Sequence, residues 1–213
     1  MINYQKILDK TIEHHVSKGE TPSLLLHACC APCSSYVLEY LSQFFKITLF
    51  YYNPNITEEN EYRKRTEEAK RLVSRMPVKN TVTFMEGKYD PESFFAVAKG
   101  LEDVREGGER CFKCYRLRIA EAADIAREYG FDYFTTTLSI SPLKNAQKLN
   151  EIGGEEAERT GVQYLFSDFK KKEGYKHSIS LAKEYNLYRQ DYCGCIYSKQ
   201  ERELQKTNKK TEV

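Results

Sequence analysis

The sequence lacks a long apolar run, and its first twenty residues are polar. Its longest apolar stretch, residues 47–52, is far shorter than the ~20 residues of a membrane-spanning helix. The beginning of the chain also lacks the apolar region of a secretory signal peptide. We therefore expect a protein without membrane segments, located in the cytoplasm, where cysteine thiols stay reduced.

A strong net charge is missing as well. The 33 lysine and arginine residues nearly balance the 31 aspartate and glutamate residues, so the formal net charge of the 213-residue chain is +2. Bulk charge therefore gives no indication of a nucleic-acid partner. Four lysines lie close together in residues 170–176, but such a run is most often a solvated surface.

Cysteine is the residue type that stands out, because seven cysteines fall into three tight groups. Grouped thiols in a chain of this size point to metal or redox chemistry rather than to a disulfide framework. Four thiolates suit an iron–sulfur cluster or a tetrahedral zinc site, and residue chemistry alone leaves both open. The groups are Cys29, Cys30 and Cys33; Cys111 and Cys114; and Cys193 and Cys195.

Short apolar segments alternate with amphipathic ones, which predicts βαβ units and an α/β fold with a doubly wound, mostly parallel sheet. Ligands bind such sheets at the carboxyl ends of the strands where the winding reverses, commonly between the first and fourth strands. The segments CCAPCSS and TTTLSISPLKN follow those two strands, so we expect the site between them. The predicted strands are residues 23–30, 46–55, 80–89, 131–141 and 162–169.

No repeat interrupts this pattern, so we expect a single domain over residues 1–213. Residues 1–20 should form a helical N-terminal extension, because apolar side chains recur every four residues there up to Val16. Residues 199–213 should form a polar, flexible tail. Gly153 and Gly154 should weaken the helix that follows the fourth strand.

Four cysteines are the first candidates for metal ligands. Cys111 and Cys114 lie three residues apart at the start of a predicted helix, where they share a face and where the helix N-terminus favours thiolates. Cys29 and Cys30 lie at a turn from strand to helix, where both side chains can reach one site. Cys33 has no obvious partner, and either a core position or a second metal would suit it.

Cys193 and Cys195 are separated by one glycine. Two such thiols can form a strained, redox-active disulfide, or they can serve as further metal ligands. Asp191 and Asp168 could donate a proton or complete an adjacent metal site, although each is more often a surface charge.

From about residue 24 to residue 198, the sequence resembles the QueH-type epoxyqueuosine reductases. Several long motifs in the same order make this a specific resemblance. They are HACCAPCSS, YYNPNITEENEY, RCFKCYRLR, FTTTLSISPLKN, DFKKKEGY and LYRQDYCGCIYS. The resemblance implies an adenine-nucleotide alpha-hydrolase-like, Rossmann-like fold. It also implies an oxidoreductase that removes the epoxide oxygen of epoxyqueuosine at the wobble position of tRNA.

The family uses a [4Fe–4S] cluster and no cobalamin. Residue by residue, the resemblance implies that Cys29, Cys30, Cys111 and Cys114 bind the cluster, and that Cys193 and Cys195 are redox-active. A second iron beside the cluster would be an additional cofactor. Because deoxygenation takes two electrons and a proton source, we expect an external electron donor, and Asp191 is a candidate for the second iron site or for proton donation.

The segment after the fourth strand is a candidate substrate site, since a lysine at a helix start suits an anion. We expect Lys144, with Ser139, Ser141 and Asn145, to bind the substrate nucleotide or a flanking phosphate, and Asn53 to be a further substrate-site residue. CCAPCSS lacks the glycines of a pyrophosphate loop, so ATP use is not expected. The alternatives are an iron–sulfur PP-loop-like tRNA thiolase and a zinc-stabilised RNA-binding module.

Overall fold

The alternation of apolar and amphipathic segments produces a five-stranded, all-parallel sheet in the computed structural model, which describes residues 2–211. The strand order β3-β2-β1-β4-β5 confirms that the winding reverses between the first and fourth strands. The strands are β1 (Ser23–His27), β2 (Lys46–Tyr51), β3 (Val82–Glu86), β4 (Tyr133–Thr136) and β5 (Gln163–Tyr164).

Helices cover both faces of this sheet. Leu24 and Leu26 of β1 face a core formed with α1, α2, α3 and α7, whereas Leu25 faces a second core formed with α5 and α6. None of the helices within residues 2–211 has the length and the hydropathy that a membrane crossing needs. The helices are α1 (Tyr4–Lys18), α2 (Ala31–Leu41), α3 (Glu59–Arg75), α4 (Pro91–Ala98), α5 (Glu109–Glu128), α6 (Ala146–Thr160), α7 (Gly174–Glu184) and α8 (Ile196–Thr211).

The predicted N-terminal helix is present as α1. Asn3 caps it by accepting a hydrogen bond from the backbone N–H of Lys6, and Gly19 ends it in the left-handed conformation with φ of 66°. Leu8 and Ile12 are buried against the sheet, but Val16 is 57% exposed. The apolar stripe is therefore shorter than its four-residue spacing predicts.

Three segments differ from the sequence prediction. The fourth strand ends at Thr136, because the Thr136 hydroxyl accepts a hydrogen bond from Leu138 N and residues Thr137–Ile140 form a 3₁₀ turn. The fifth strand is only Gln163–Tyr164. Most of the predicted polar tail is helix α8, which extends to Thr211, while residues 212 and 213 lie outside the described residues.

The buried His27 fixes the end of β1, as expected for a core histidine. Its Nδ1 lies 2.8 Å from the Thr136 hydroxyl of β4, and its Nε2 lies 2.9 Å from the carbonyl oxygen of Tyr52. Burial lowers the pKa of His27 to about 3, so the ring is neutral and can accept from Thr136 while donating to Tyr52. The bond to Thr136 joins the two strand ends that flank the predicted site, and the bond to Tyr52 ties β1 to the segment after β2.

Helix α6 is continuous through Gly153 and Gly154. Gly153 packs directly against Tyr164 of β5, and a Cβ atom there would lie 2.3 Å from the Tyr164 Cζ. The glycine therefore permits a close approach of helix to strand. At Gly154 a Cβ atom would lie 3.5 Å from Phe166, which is ordinary contact.

These two glycines give a matched pair for a stability test. Gly153→Ala should lower the free energy of unfolding by about 1–3 kcal/mol relative to Gly154→Ala, because only the first overpacks the buried Tyr164 ring. Gly154→Ala should be neutral or stabilising by up to about 1 kcal/mol through helix propensity. Urea denaturation of both variants measures the difference, and equal stabilities would contradict the close packing at Gly153.

Candidate metal and redox site

The cleft at the carboxyl edge of the sheet lies where the sequence predicts it. His27 at the end of β1 pairs with Thr136 at the end of β4, and the segments that follow both strands line the cleft. A third segment, residues 189–193, closes it from the other side. We call this space the thiol cleft; its lining includes Cys29, Cys30, Cys33, Ser141, Lys144, Asp191 and Cys193.

Three thiols meet at the turn from β1 to α2. The sulfur atoms of Cys29, Cys30 and Cys33 all lie within 4.8 Å of one another, and those of Cys29 and Cys30 are 3.9 Å apart. Cys30 precedes the first residue of α2, so Cys33 comes back beside it within the first helical turn. This group could hold a metal ion. Cys33, which has no obvious partner in the sequence, lies beside Cys29 and Cys30.

Hydrogen bonds among these thiols concentrate negative charge on one sulfur. The Cys29 and Cys33 thiols donate to Cys30 and hold the pKa of Cys30 well below its usual range. The same interactions raise the pKa of Cys29 and of Cys33. The Thr137 hydroxyl, 3.3 Å from Cys29 Sγ, is a further donor to the group. The three thiols thus present a single thiolate to an incoming cation.

The other four thiols line a second, smaller space beside the thiol cleft, which we call the inner cavity. Cys111 and Cys114 lie in the first turns of α5, and Cys193 and Cys195 lie just before α8. Burial raises the pKa of Cys111, Cys114 and Cys195, so these thiols are protonated when no cation is near. Cys193 lines both the inner cavity and the thiol cleft.

The glycine between Cys193 and Cys195 is required by the local geometry. Gly194 has a φ of 129°, and a Cβ atom there would lie 2.8 Å from Ile56 Cγ1. The Cys193 carbonyl accepts a hydrogen bond of 3.1 Å from Arg65 Nη1. The loop is thus held against the segment between β2 and α3, and all seven cysteines are free thiols.

Arg118 lies between the thiol cleft and the inner cavity, and the sequence analysis did not predict it as a site residue. Its side chain is 1% exposed and lines both the thiol cleft and the inner cavity. Nε donates to the carbonyl of Cys114 and Nη1 to Oδ1 of Asn53, but Nη2 has no hydrogen-bond partner among the described residues. The available signal was its position one helical turn after Cys114, on the same face of α5.

A buried guanidinium without a carboxylate partner is costly unless an anion lies near it. Among the residues described, no ion pair involves Arg118, whereas thiols of both cysteine groups surround it and help to raise its pKa against the effect of burial. A metal–sulfur centre carries negative charge from its thiolate ligands. The donor set and the unpaired guanidinium therefore fit such a centre.

Lys144 is buried in the site and is not a surface lysine. Its Nζ lies 3.3 Å from Cys193 Sγ and 2.8 Å from Oε1 of Glu106. Burial disfavours the charged form, but the Cys193 sulfur, Tyr115 and Glu106 outweigh it and raise the pKa of Lys144. The ammonium group therefore stays charged beside Cys193.

Two further predicted residues line the thiol cleft, Ser141 and Asp191. The Asp191 carboxylate accepts a hydrogen bond of 2.5 Å from Lys206, which lowers its pKa. It is therefore ionised near neutral pH and is better suited to accepting a proton or binding a cation than to donating a proton.

The remaining predicted residues bond to the protein itself. Asn53 donates to the carbonyl of Ala28, and Asn145 caps α6 by accepting from Lys148 N. Ser139 accepts from Phe169 N, and Asp168 pairs with Lys170 at 2.9 Å. None of the four lines the thiol cleft as the described residues define it. Their roles toward a substrate stay predictions.

The fold and the site define an α/β protein with a thiol-lined cleft suited to metal and redox chemistry. Residues 24–201 match the family model of epoxyqueuosine reductase QueH. A relative of that name from Staphylococcus epidermidis is 43% identical, with the alignment covering 92% of this chain and 84% of the relative. The relative of the same name from Streptococcus pyogenes is 43% identical over 92% of this chain and 78% of its own length. The relative of that name from Thermotoga maritima is 34% identical, with the alignment covering 84% of this chain and 92% of the relative. The chain belongs to the QueH family of epoxyqueuosine reductases.

The grouping of Cys33 with Cys29 and Cys30 gives a prediction about metal content. Cys33→Ser should lose about one metal ion per chain, because a serine oxygen is a poor substitute for a thiolate ligand. Ser35→Ala, on the same helix and with its hydroxyl bonded only to the carbonyl of Pro32, should retain it. Elemental analysis for iron and zinc decides, and full metal content in Cys33→Ser would remove Cys33 from the ligand set.

Proposed function

We propose that this protein reduces epoxyqueuosine at the wobble position of tRNA to queuosine. The observation that carries the proposal is the convergence of three cysteine-bearing segments on the thiol cleft and the adjoining inner cavity in a chain of the QueH family. The reaction removes the epoxide oxygen as water and leaves a carbon–carbon double bond, which consumes two electrons and two protons. The parallel sheet and its strand order support an adenine-nucleotide alpha-hydrolase-like scaffold, used here without ATP.

The cofactor that we propose is a [4Fe–4S] cluster held by Cys29, Cys30, Cys111 and Cys114. The resemblance to the family implies these four, and the unpaired Arg118, which lines both the thiol cleft and the inner cavity, supports an anionic centre there. When bound, the cluster supplies electrons one at a time at low potential. Cys33 and Asp191 are then available as ligands of a second, adjacent iron.

Cys193 and Cys195 can supply what the deoxygenation consumes. Oxidation of two thiols to one disulfide releases two electrons and two protons, so one dithiol balances one epoxide. The glycine between them and the hydrogen bonds to the Cys193 carbonyl hold the loop against the cleft. An external electron donor must then reduce the disulfide before the next turnover.

Lys144 lies next to Cys193 in the site. Its charged ammonium group, 3.3 Å from Cys193 Sγ, can donate a hydrogen bond to that sulfur. The same ammonium group can donate a hydrogen bond to an epoxide oxygen in the thiol cleft and so stabilise the negative charge that develops as a carbon–oxygen bond breaks. Glu106 keeps it in place through the contact at 2.8 Å.

The cluster assignment predicts a coloured protein. Protein purified without oxygen should be brown and contain about four irons per chain with labile sulfide. Cys111→Ser and Cys114→Ser should each bleach the visible absorbance while the far-ultraviolet circular dichroism is retained. Lys113→Ser is the matched control, because Lys113 lies between the two cysteines with a side chain that is 49% exposed.

A colourless protein that contains zinc would contradict the cluster and favour a zinc-stabilised module. Retention of the cluster in both cysteine variants would instead remove Cys111 and Cys114 from the ligand set while leaving a cluster elsewhere in the site.

The dithiol assignment predicts a different behaviour for the third cysteine pair. Cys193→Ser and Cys195→Ser should keep the visible spectrum but lose conversion of epoxyqueuosine to queuosine, since neither variant can form the disulfide. Mass spectrometry of nucleosides from the tRNA product measures conversion. Loss of the cluster in either variant would identify that thiol as a ligand, and turnover in both would show that the electrons come from elsewhere.

A further inference from the structure

Two exposed arginines at the mouth of the site, Arg105 and Arg189, have neither a hydrogen-bond nor an ion-pair partner among the described residues. Arg189 lines the thiol cleft together with Cys29 and Cys193. Arg105 lines a shallow groove that opens beside the cleft, which we call the outer groove. Among the described residues, neither guanidinium forms a hydrogen bond or an ion pair, although the protein contains 31 aspartate and glutamate residues.

The carboxylates around these arginines are already neutralised by other cations. Glu106 pairs with Lys144 at 2.8 Å, and Asp191 pairs with Lys206 at 2.5 Å. Glu201 pairs with the buried Arg110 at 3.2 Å. Arg105 and Arg189 therefore leave a positive charge at the mouth, even though the whole chain is nearly neutral.

The thiol cleft and the outer groove form one continuous surface, since Glu106, Leu143, Asp191 and Tyr192 line both. Leu143 is 72% exposed, which is unusual for a large apolar side chain beside a polar cleft. The Tyr192 ring is held by the Arg65 guanidinium, 5.1 Å from the ring centroid. A positive groove with an exposed apolar and a half-buried aromatic side chain is the kind of surface that binds single-stranded nucleic acid.

We propose that Arg105 and Arg189 bind backbone phosphates of the tRNA anticodon loop and so hold the modified nucleotide in the thiol cleft. This inference rests on the proposed function, because it takes the anticodon loop as the partner. Arg189 would contact a phosphate next to the nucleotide in the cleft, and Arg105 one further along the outer groove. Leu143 and Tyr192 offer apolar contact to the unstacked bases between them.

The test measures binding of tRNA carrying epoxyqueuosine to the full-length, metal-loaded protein at salt concentrations from about 50 to 200 mM. Arg105→Ala and Arg189→Ala should each weaken binding about threefold to tenfold at the low end. Each should also reduce the slope of log affinity against log salt by about 0.7, the value for one lost phosphate contact on a single strand. The double variant should lose about twice that slope.

Arg75→Ala is the matched control. Arg75 is an exposed arginine in the last turn of α3, which ends at the opposite edge of the sheet. It should bind tRNA like the unaltered protein. Metal content and visible spectrum should be the same in all four variants, because neither arginine at the mouth forms a hydrogen bond with a cysteine among the described residues.

The outcomes separate this inference from the proposed function. If the unaltered protein converts epoxyqueuosine but the Arg105 and Arg189 variants bind tRNA with unchanged affinity and slope, the arginines are solvated surface charges and the inference fails. If the unaltered protein binds no tRNA, the inference also fails. If it binds tRNA through these arginines but performs no reduction, the docking surface stands and the proposed reaction does not.

Discussion

Burial of three guanidinium groups constrains the whole site. Arg65, Arg110 and Arg118 are the largest fully buried side chains among the described residues, each 1% exposed. A buried charge costs several kcal/mol unless its donors are satisfied, and here one nitrogen of each guanidinium donates to a backbone carbonyl. Arg65 bonds the carbonyl of Cys193 and Arg118 that of Cys114, while Arg110 bonds the two carbonyls of the turn before α5. Arg65 thus ties the Cys193 loop to α3, and Arg118 ties α5 to Asn53, which follows β2.

The fold was predictable from the sequence to the level of strand order, because the alternation of strands and helices and the right-handedness of their connections leave few arrangements. The residues at which strands and helices end were not predictable. Residues 137–140 have the composition of a strand, but the Thr136 hydroxyl takes the Leu138 N–H and turns the chain. Similarly, Gly153 looks like a weak point of a helix in the sequence. In the structure the helix is continuous, and the glycine leaves room for the Tyr164 ring, which packs where a side chain would be.

The site was predictable in its place and in its thiols, but not in how the thiols divide. Spacing alone gives Cys33 no partner, whereas the first turn of α2 brings its sulfur back to Cys29 and Cys30. Sequence also predicts Lys144 as an anion-binding residue at a helix start, but nothing in PLKN reveals that Cys193, far along the chain, will lie 3.3 Å away. Local residue patterns do not reveal contacts between segments that are distant in the sequence.

The anchoring of the Cys193 loop has a consequence for how the protein matures. Its bonds reach back to Arg65 and Asn55, which are 128 and 138 positions earlier in the chain. Chains fold from the N-terminus as they emerge during synthesis. The sheet, with the cysteines that follow β1, can therefore fold while Cys193 and Cys195 are still inside the ribosome. For that interval the cysteines at the end of β1 are open to solvent on one side. The thiol cleft and the inner cavity are therefore completed late, when residues 193–195 reach Arg65 and Asn55 beside a sheet that has already formed.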